Sequence, residues 1–152
     1  MTTHAVTGGC QCGAVRFAVD GSLGRPGICH CRMCQKAVGG PFGSFVTAEG
    51  LRWTRGEPKR FQSSDKAARG FCAACGTPLS FEWQGAPPEI AIGAFDDPAA
   101  VRPVIQVWGE SRLPWFASLA ALPDRPATPT ASEAGVVTFQ HPDHDTDRWP
   151  PA

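Results

Sequence analysis

Seven cysteines in three short groups constrain this 152-residue chain more than any other feature. The first group has the spacing Cys-x-Cys, the second Cys-x-Cys-x-x-Cys and the third Cys-x-x-Cys; in order they are Cys10 and Cys12, then Cys29, Cys31 and Cys34, then Cys72 and Cys75. A structural zinc site takes four protein ligands, whereas a catalytic one takes three and keeps a position for water or substrate. Seven cysteines therefore suffice for one site of each kind.

The spacing leaves two ways of dividing these ligands. Two neighbouring sulfurs supply half of a tetrahedron, so each pair needs partners from elsewhere in the chain. The first and third groups together would make a closed site that ties an early strand to a distant hairpin, and the second group would then be the open site. Alternatively, Cys29 and Cys31 complete the closed site and leave the first group apart. The sequence does not exclude this second division.

The compartment suggested by the sequence favours metal over disulfides. Residues 1–6 show no basic segment followed by an apolar core, and the apolar run at 116–122 is too short to cross a bilayer. We therefore expect a soluble cytoplasmic protein, in which thiols stay reduced. A redox pair at Cys72 and Cys75 is the alternative, but such a motif opens a helix, which the following Gly76 and Pro78 oppose.

Composition and periodicity predict a mainly β protein. Seventeen glycines and fifteen prolines favour short strands and turns over long helices. Apolar residues alternate at Val15, Phe17 and Val19, as in a half-buried strand, and residues 32–38 could form a short helix before a Gly-Gly-Pro stop. Further strands are predicted at 42–47, 51–54, 59–63, 89–95 and 104–108, with a second short helix possible at 117–122.

The second cysteine group would join a strand to the first predicted helix. On extended backbone, side chains two residues apart share a face, so Cys10 and Cys12 would point together. By the same rule Cys29 and Cys31 would point together and His30 would point away from their metal. We expect His30 to be satisfied elsewhere or to face solvent. Cys31 and Cys34 would lie at the N-terminus of the helix, where the dipole lowers the pKa of a thiol and favours the metal-binding thiolate.

We expect one zinc domain over residues 1–123 and an irregular tail over residues 124–152. Within that tail, residues 136–139 could dock as an edge strand. Residues 141–145, His-Pro-Asp-His-Asp, are similar to a metal-binding tract, but without a helix to fix their spacing we favour a flexible terminus.

Three motifs carry a resemblance to a known family. Gly-x-Cys-x-Cys-Gly-x-Val-Arg-Phe occurs at residues 8–17, Cys-His-Cys-x-x-Cys at 29–34 and Phe-Cys-x-x-Cys-Gly-Thr at 71–77. With the Asp-Asp-Pro turn at 96–98 and Ser-Arg-Leu-Pro-Trp at 111–115, they resemble the glutathione-dependent formaldehyde-activating (GFA) family, also called the CENP-V/GFA domain. The resemblance spans about residues 8–123. Many relatives carry a histidine at the place of Gln106.

This resemblance implies an Mss4-like, or β-tent, fold of short antiparallel strands with zinc knuckles and one or two short helices. It implies two zinc ions per chain, a structural one on the first and third cysteine groups and an open one on Cys29, Cys31 and Cys34. The implied activity is that of a carbon–sulfur lyase, S-(hydroxymethyl)glutathione synthase, acting on glutathione and formaldehyde. Lys36 and Arg112, near matched motifs, are our candidates for binding the carboxylates of the thiol.

A binding module is the alternative function. Between residues 51 and 70 lie six basic residues against two acidic ones, and the centromere-protein relatives suggest a non-catalytic zinc module that binds a macromolecule. The formal net charge of zero counts against a nucleic-acid partner, and no membrane partner is expected.

Overall fold

The computed structural model describes residues 5–125, 129–130 and 133–148. Within these ranges the chain forms ten strands, one α-helix and four short 3₁₀ helices. The strands are β1 Val6–Gly9, β2 Arg16–Val19, β3 Gly27–Cys29, β4 Gly43–Thr47, β5 Leu51–Arg55, β6 Lys59–Gln62, β7 Ala67–Phe71, β8 Pro78–Trp83, β9 Glu89–Ala91 and β10 Ile105–Val107. The helix α1 is Arg32–Val38, and the 3₁₀ helices are Ile92–Ala94, Pro98–Ala100, Gly109–Ser111 and Phe116–Ala121. The prediction of a mainly β fold is confirmed.

The strands form two sheets. β1, β2 and β5 make an antiparallel sheet in that order, and the larger sheet has the order β10-β3-β4-β9-β8-β7-β6. All of its pairs are antiparallel except β10 with β3. Short strands and tight turns follow from the many glycines and prolines, which interrupt longer elements.

One buried apolar cluster draws side chains from both sheets. Phe17 on β2 is fully buried and meets the rings of Trp53 and Phe95 edge-on, at centroid distances of 6.0 and 5.2 Å. Leu79 and Ile90 from the larger sheet are also fully buried in this cluster. Cys10 and Cys72 belong to the same cluster, so the first and third cysteine groups are anchored in the core.

One predicted strand is shorter than expected, and one predicted helix is a 3₁₀ helix, which is wound more tightly than an α-helix. The strand expected at 89–95 ends at Ala91, where the chain turns into the 3₁₀ helix Ile92–Ala94 and the N–H of Phe95 bonds the carbonyl of Ile92. The helix expected at 117–122 is the 3₁₀ helix Phe116–Ala121, because Pro114 and Pro123 leave too few residues between them for a longer one.

The described part of the tail docks through polar contacts and forms no strand. The side chains of Val136, Val137 and Phe139 are exposed, so the prediction of a docked edge strand there is wrong. The tail is instead anchored by residues that follow this segment in the chain. The N–H of His141 donates to the Gln11 carbonyl at 2.7 Å, and the apolar side chains of residues 136–139 stay exposed. Residues 126–128, 131–132 and 149–152 of the predicted tail lie outside the described residues. None of the described helices is long and apolar enough to cross a membrane.

Candidate metal centres

Cys10, Cys12, Cys72 and Cys75 form one cluster, with their Sγ atoms all within 4.8 Å of one another. The Sγ atoms of Cys10 and Cys12 are 3.6 Å apart, and those of Cys12 and Cys72 are 3.8 Å apart. A tetrahedral ion with Zn–S bonds of about 2.3 Å holds its sulfurs about 3.8 Å apart. These two distances match that value, so the four thiols could hold a tetrahedral metal ion. The seven cysteines, all within the described ranges, form no disulfide with one another, and the alternative division of the ligands is wrong.

The first pair is held by a tight turn rather than by extended backbone. The N–H of Gly13 donates to the Cys10 carbonyl at 3.0 Å, and the N–H of Cys10 donates to the Val15 carbonyl at 2.9 Å. The N–H of Val15 also donates to the Cys10 sulfur at 3.2 Å. The turn, and not strand alternation, thus brings the two sulfurs together.

The second pair lies on a knuckle that depends on glycine. Gly76 has a φ of +78°, a left-handed conformation that favours glycine, and its N–H donates to the Cys72 carbonyl at 2.9 Å. The hydroxyl of Thr77 lies 3.1 Å from the Cys75 sulfur and also accepts the N–H of Gln11 at 3.0 Å. Thr77 therefore links the two knuckles. The chain continues into β8 without a helix, unlike the redox motif that was the alternative.

The thiols of this cluster differ in acidity. Burial raises the pKa of Cys10 to about 12, although the N–H of Val15 opposes the shift. Burial also raises the pKa of Cys75, but hydrogen bonds from the hydroxyl and N–H of Thr77 outweigh it and lower the value to about 6. Cys75 thus forms a thiolate more readily than Cys10 does, and binding of a cation at the cluster would favour deprotonation of its ligands.

Cys29, Cys31 and Cys34 form a second cluster, again with all Sγ atoms within 4.8 Å. Cys29 ends β3, Cys31 is the N-cap of α1, and Cys34 lies in the first turn, as predicted from the sequence. Within the described ranges the group contains no histidine, carboxylate or fourth thiol. Three thiols on one local segment could hold a metal ion and would leave one tetrahedral position for an external ligand.

The N-terminus of α1 affects the pKa values of Cys31 and Cys34 differently. Burial raises the pKa of Cys31, but hydrogen bonds from the N–H groups of Cys34 and Met33 and from the neighbouring thiols lower it overall. The N–H of Cys34 lies 3.4 Å from the Cys31 sulfur. For Cys34 burial dominates and the pKa is raised, and burial raises the pKa of Cys29 to about 12. The expected lowering thus holds at the N-cap and not one turn later.

Arg69 is a site residue that sequence reasoning missed. It was grouped with the basic stretch, yet its side chain is buried and Nη2 donates to the Cys34 sulfur at 3.4 Å. The guanidinium also opposes the rise in the pKa of Cys34 that burial causes. A usable signal was present, because Arg69 lies two residues after the buried Ala67 and so shares its face of β7.

Gln35 also went unnoticed, although it fixes α1 to its surroundings. Its buried side chain donates from Nε2 to the carbonyls of His30 and Ser111, at 2.8 and 3.1 Å. The helix that carries Cys34 is therefore tied both to the preceding strand and to the distant segment Gly109–Ser111.

The His30 ring points away from the cysteines, as expected, but it is only partly satisfied. It is fully buried, with Nε2 2.9 Å from Oε1 of Gln106, and Nδ1 has no hydrogen-bond partner among the described residues. Its edge packs against Phe116 at a centroid distance of 4.7 Å. Gln106 therefore orients the neighbouring imidazole of His30 in this chain.

The two candidate substrate-binding cations lie in different surroundings. Lys36 lines a groove of about 870 Å³ between α1 and the segment around Ser111 and Trp115. Arg112 lies over the ring of Phe116, with its Cζ atom 5.7 Å from the centroid. Lys36 is thus placed on an accessible groove beside the three-cysteine segment, and a binding role for either residue stays a prediction.

The tail covers the outer side of the four-cysteine cluster. Arg16, which is 3 % exposed, binds the carboxylates of both Asp96 and Asp145, with shortest distances of 2.6 and 2.5 Å. His141 is buried beside Gln11, and together with Cys10 they line a cavity of about 450 Å³. Residues 141–145 therefore make structural contacts, and none of them joins a metal-ligand group.

Fold and clusters together define a mainly β protein built on two cysteine clusters that could hold metal ions. The chain belongs to the glutathione-dependent formaldehyde-activating enzyme (GFA) family, whose model matches residues 5–111. A crystal structure of a protein from Rhodobacter sphaeroides is similar in fold, with a TM-score of 0.52 and 21% identity over 66% of this chain and 99% of that one. Among curated proteins none matches the sequence.

Proposed function

We propose that the protein is a zinc-dependent carbon–sulfur lyase that forms or cleaves a small thiol adduct, with S-(hydroxymethyl)glutathione, from glutathione and formaldehyde, as its leading example. One observation carries the proposal: three thiols converge at the start of α1 without a fourth protein ligand among the described residues. The same chain also has a four-thiol cluster, which differs in having a full set of protein ligands. A structural zinc site has four protein ligands, whereas a catalytic one has three and keeps a position for water or substrate.

In this proposal each cluster holds one zinc ion. The structural ion is bound by Cys10, Cys12, Cys72 and Cys75, and the catalytic one by Cys29, Cys31 and Cys34. When bound at the second cluster, zinc supplies a Lewis acid for a carbonyl oxygen and stabilises a thiolate at neutral pH. The partners are a small thiol and an aldehyde.

The chain's own residues prepare this site. Cys31 caps the helix, Gln35 fixes its orientation through the carbonyls of His30 and Ser111, and Arg69 donates to the sulfur of Cys34. In the synthetic direction, the thiol sulfur bonds to the aldehyde carbon and the carbonyl electron pair moves to oxygen, which takes the proton that the thiol loses. No oxidant or reductant is needed, and holding both reactants together supplies most of the gain in rate.

The test is magnetisation-exchange NMR of carbon-13 formaldehyde with glutathione, with and without the zinc-loaded protein. We expect faster exchange with the protein and loss of that effect in Cys31→Ser. If neither glutathione nor any other cellular thiol shows accelerated exchange, the lyase proposal is wrong.

The structure offers little for the alternative of a macromolecule-binding module. Within the basic stretch, Arg52 pairs with Asp20, Arg60 with Glu82 at 2.8 Å, and Lys66 lies 4.0 Å from the carboxylate of Asp65. Arg69 is buried against Cys34, and Arg55 donates to the carbonyls of Gly13 and Thr146. Most of these charges are thus engaged within the chain, and we do not pursue the alternative.

A further inference from the structure

Arg69 is a buried cation without a carboxylate partner among the described residues. Its side chain is 9 % exposed, and its contacts are the Cys34 sulfur and the face of Phe81, with Cζ 4.9 Å from the ring centroid. A guanidinium carries five N–H donors, and burying such a charge is costly unless an anion faces it. The Cys34 sulfur, which is an anion when it is a thiolate, uses one of these donors and leaves others for a further anion.

A groove beside Arg69 provides space for that anion. It lies between α1, β6 and β7 and has a volume of about 410 Å³, which suits a small molecule. Met33, Ala37 and Phe61 give it apolar walls, while Arg32, Lys36 and Arg69 supply three cations, and no acidic side chain lines it.

The groove and the three-cysteine cluster share Arg69. The same residue lines the groove and donates to the sulfur of Cys34, and Met33 precedes Cys34 in the helix. The groove therefore adjoins the three-cysteine cluster at Arg69. An ammonium group in the same place would face three positive charges with no carboxylate to offset them.

We propose that this groove binds the carboxylate-bearing end of the thiol substrate and that Arg69 is its anion anchor. The inference rests on the proposed function and deepens it, because it narrows the substrate class to thiols that present a carboxylate, without an ammonium group beside it, at the end bound in the groove. Arg69 then contacts both a cluster sulfur and the substrate. Charge-assisted, bidentate pairing of arginine with carboxylate gives the selectivity.

The test compares two ligands that differ in one group, 3-mercaptopropionate and 3-mercaptopropanamide, by calorimetric titration into the zinc-loaded full chain. The experiment measures the ratio of the affinity for the carboxylate ligand to the affinity for the amide ligand, in the wild type and in each variant. The two thiols differ in acidity, but that difference is the same for every protein and cancels when the ratios are compared. We expect the wild-type ratio to favour the carboxylate, and Arg69→Met to reduce it about tenfold or more. Arg60→Met is the matched control, since that guanidinium pairs with Glu82 on the neighbouring strand; it should leave the ratio unchanged.

The outcomes distinguish a failure of the proposed lyase function from a failure of the anchor role of Arg69. If no thiol binds the zinc-loaded wild type, the proposed function itself fails. If thiols bind and Arg69→Met leaves the ratio as in the wild type, the lyase proposal stands and the anchor role of Arg69 is wrong. Should Arg69→Met lose its zinc or its fold, Arg69→Lys replaces it, because lysine keeps the charge and loses the bidentate geometry. The lysine variant should lower the ratio, and an unchanged ratio overturns the inference.

Discussion

The guanidinium of Arg16 and the carboxylate of Asp96 form a two-pronged ion pair, with Nη1–Oδ1 and Nη2–Oδ2 distances of 2.8 and 2.6 Å. Asp145 binds the same guanidinium from the tail, at 3.0 Å from Nε and 2.5 Å from Nη2. The hydroxyl of Thr7 donates to Asp96 at 2.6 Å. One buried cation therefore joins β2, the Asp96 turn and the C-terminal segment.

Asp96→Asn should destabilise the protein in a pH-dependent way. Burial raises the pKa of Asp96, but hydrogen bonds from Arg16 and Thr7 outweigh it and hold the pKa below its usual range. Because the folded pKa is the lower one, this contribution to stability is present above the unfolded pKa, about 4, and is lost as pH falls through the folded value. At pH 7 we expect Asp96→Asn to lower the free energy of unfolding by about 2–4 kcal/mol.

Urea unfolding of both proteins at neutral pH and at about pH 3 measures this difference. The gap between them should narrow in acid, and a gap that stays constant contradicts the assignment. Asp97→Asn is the control, since the Asp97 side chain caps the helix Pro98–Ala100 and asparagine also caps well. That variant should change stability by less than about 0.5 kcal/mol.

Asp145→Asn tests whether the tail is docked in solution. Asp145 is half exposed, so the loss of its ion pair should cost only about 1 kcal/mol. The expected effect is local: the N–H of His141, which donates to the Gln11 carbonyl, should exchange with deuterium faster. Amide exchange by NMR measures this, with the N–H of Phe17 in β2 as the internal reference. Equal exchange at His141 in both proteins would show that the ion pair does not hold the tail.

Local patterns in the sequence predicted much of this molecule. The helix after Cys31 is predicted from its Gly-Gly-Pro stop, and the glycine after Cys75 predicts the second knuckle, because each depends on neighbouring residues. Arg69 and Cys34 lie 35 positions apart, and Arg16 and Asp145 lie 129 apart, so their pairing depends on how the elements pack. Such contacts leave no short-range pattern.

The expectation for Cys10 and Cys12 failed for a related reason. Strand alternation places residues two apart on one face, but only where the backbone is extended, and here the Gly13 amide closes a turn onto Cys10. The turn brings the sulfurs of Cys10 and Cys12 together, as an extended strand would also have done. The grouping of the cysteines was therefore right although the local backbone was not.

Serine substitutions should separate the roles of the two clusters. Cys72 is buried in the core cluster, and Cys72→Ser should cost one zinc and most of the folding stability, because metal binding there joins distant segments. Cys31→Ser should also cost one zinc but leave the fold, since all three ligands lie on one local segment. Metal analysis with thermal unfolding measures both. Equal losses of stability in the two variants would contradict the division into a structural and a working site.

Gly76→Ala should destabilise the second knuckle through backbone conformation alone. Gly76 has a φ of +78°, and no atom beyond its two chain neighbours lies within 4 Å of where its Cβ would be, so a clash with the rest of the fold is excluded. A left-handed conformation costs a non-glycine residue about 1–2 kcal/mol, and we expect a loss of that size. Gly93→Ala is the matched control, because that position is equally open and its φ is not positive. Urea unfolding of the zinc-loaded proteins measures the loss of stability in both variants. Because the N–H of Gly76 bonds the carbonyl of the ligand Cys72, zinc should also leave the Gly76→Ala variant faster in the presence of a chelator. If both variants lose the same stability, the left-handed turn is not what the knuckle requires of glycine.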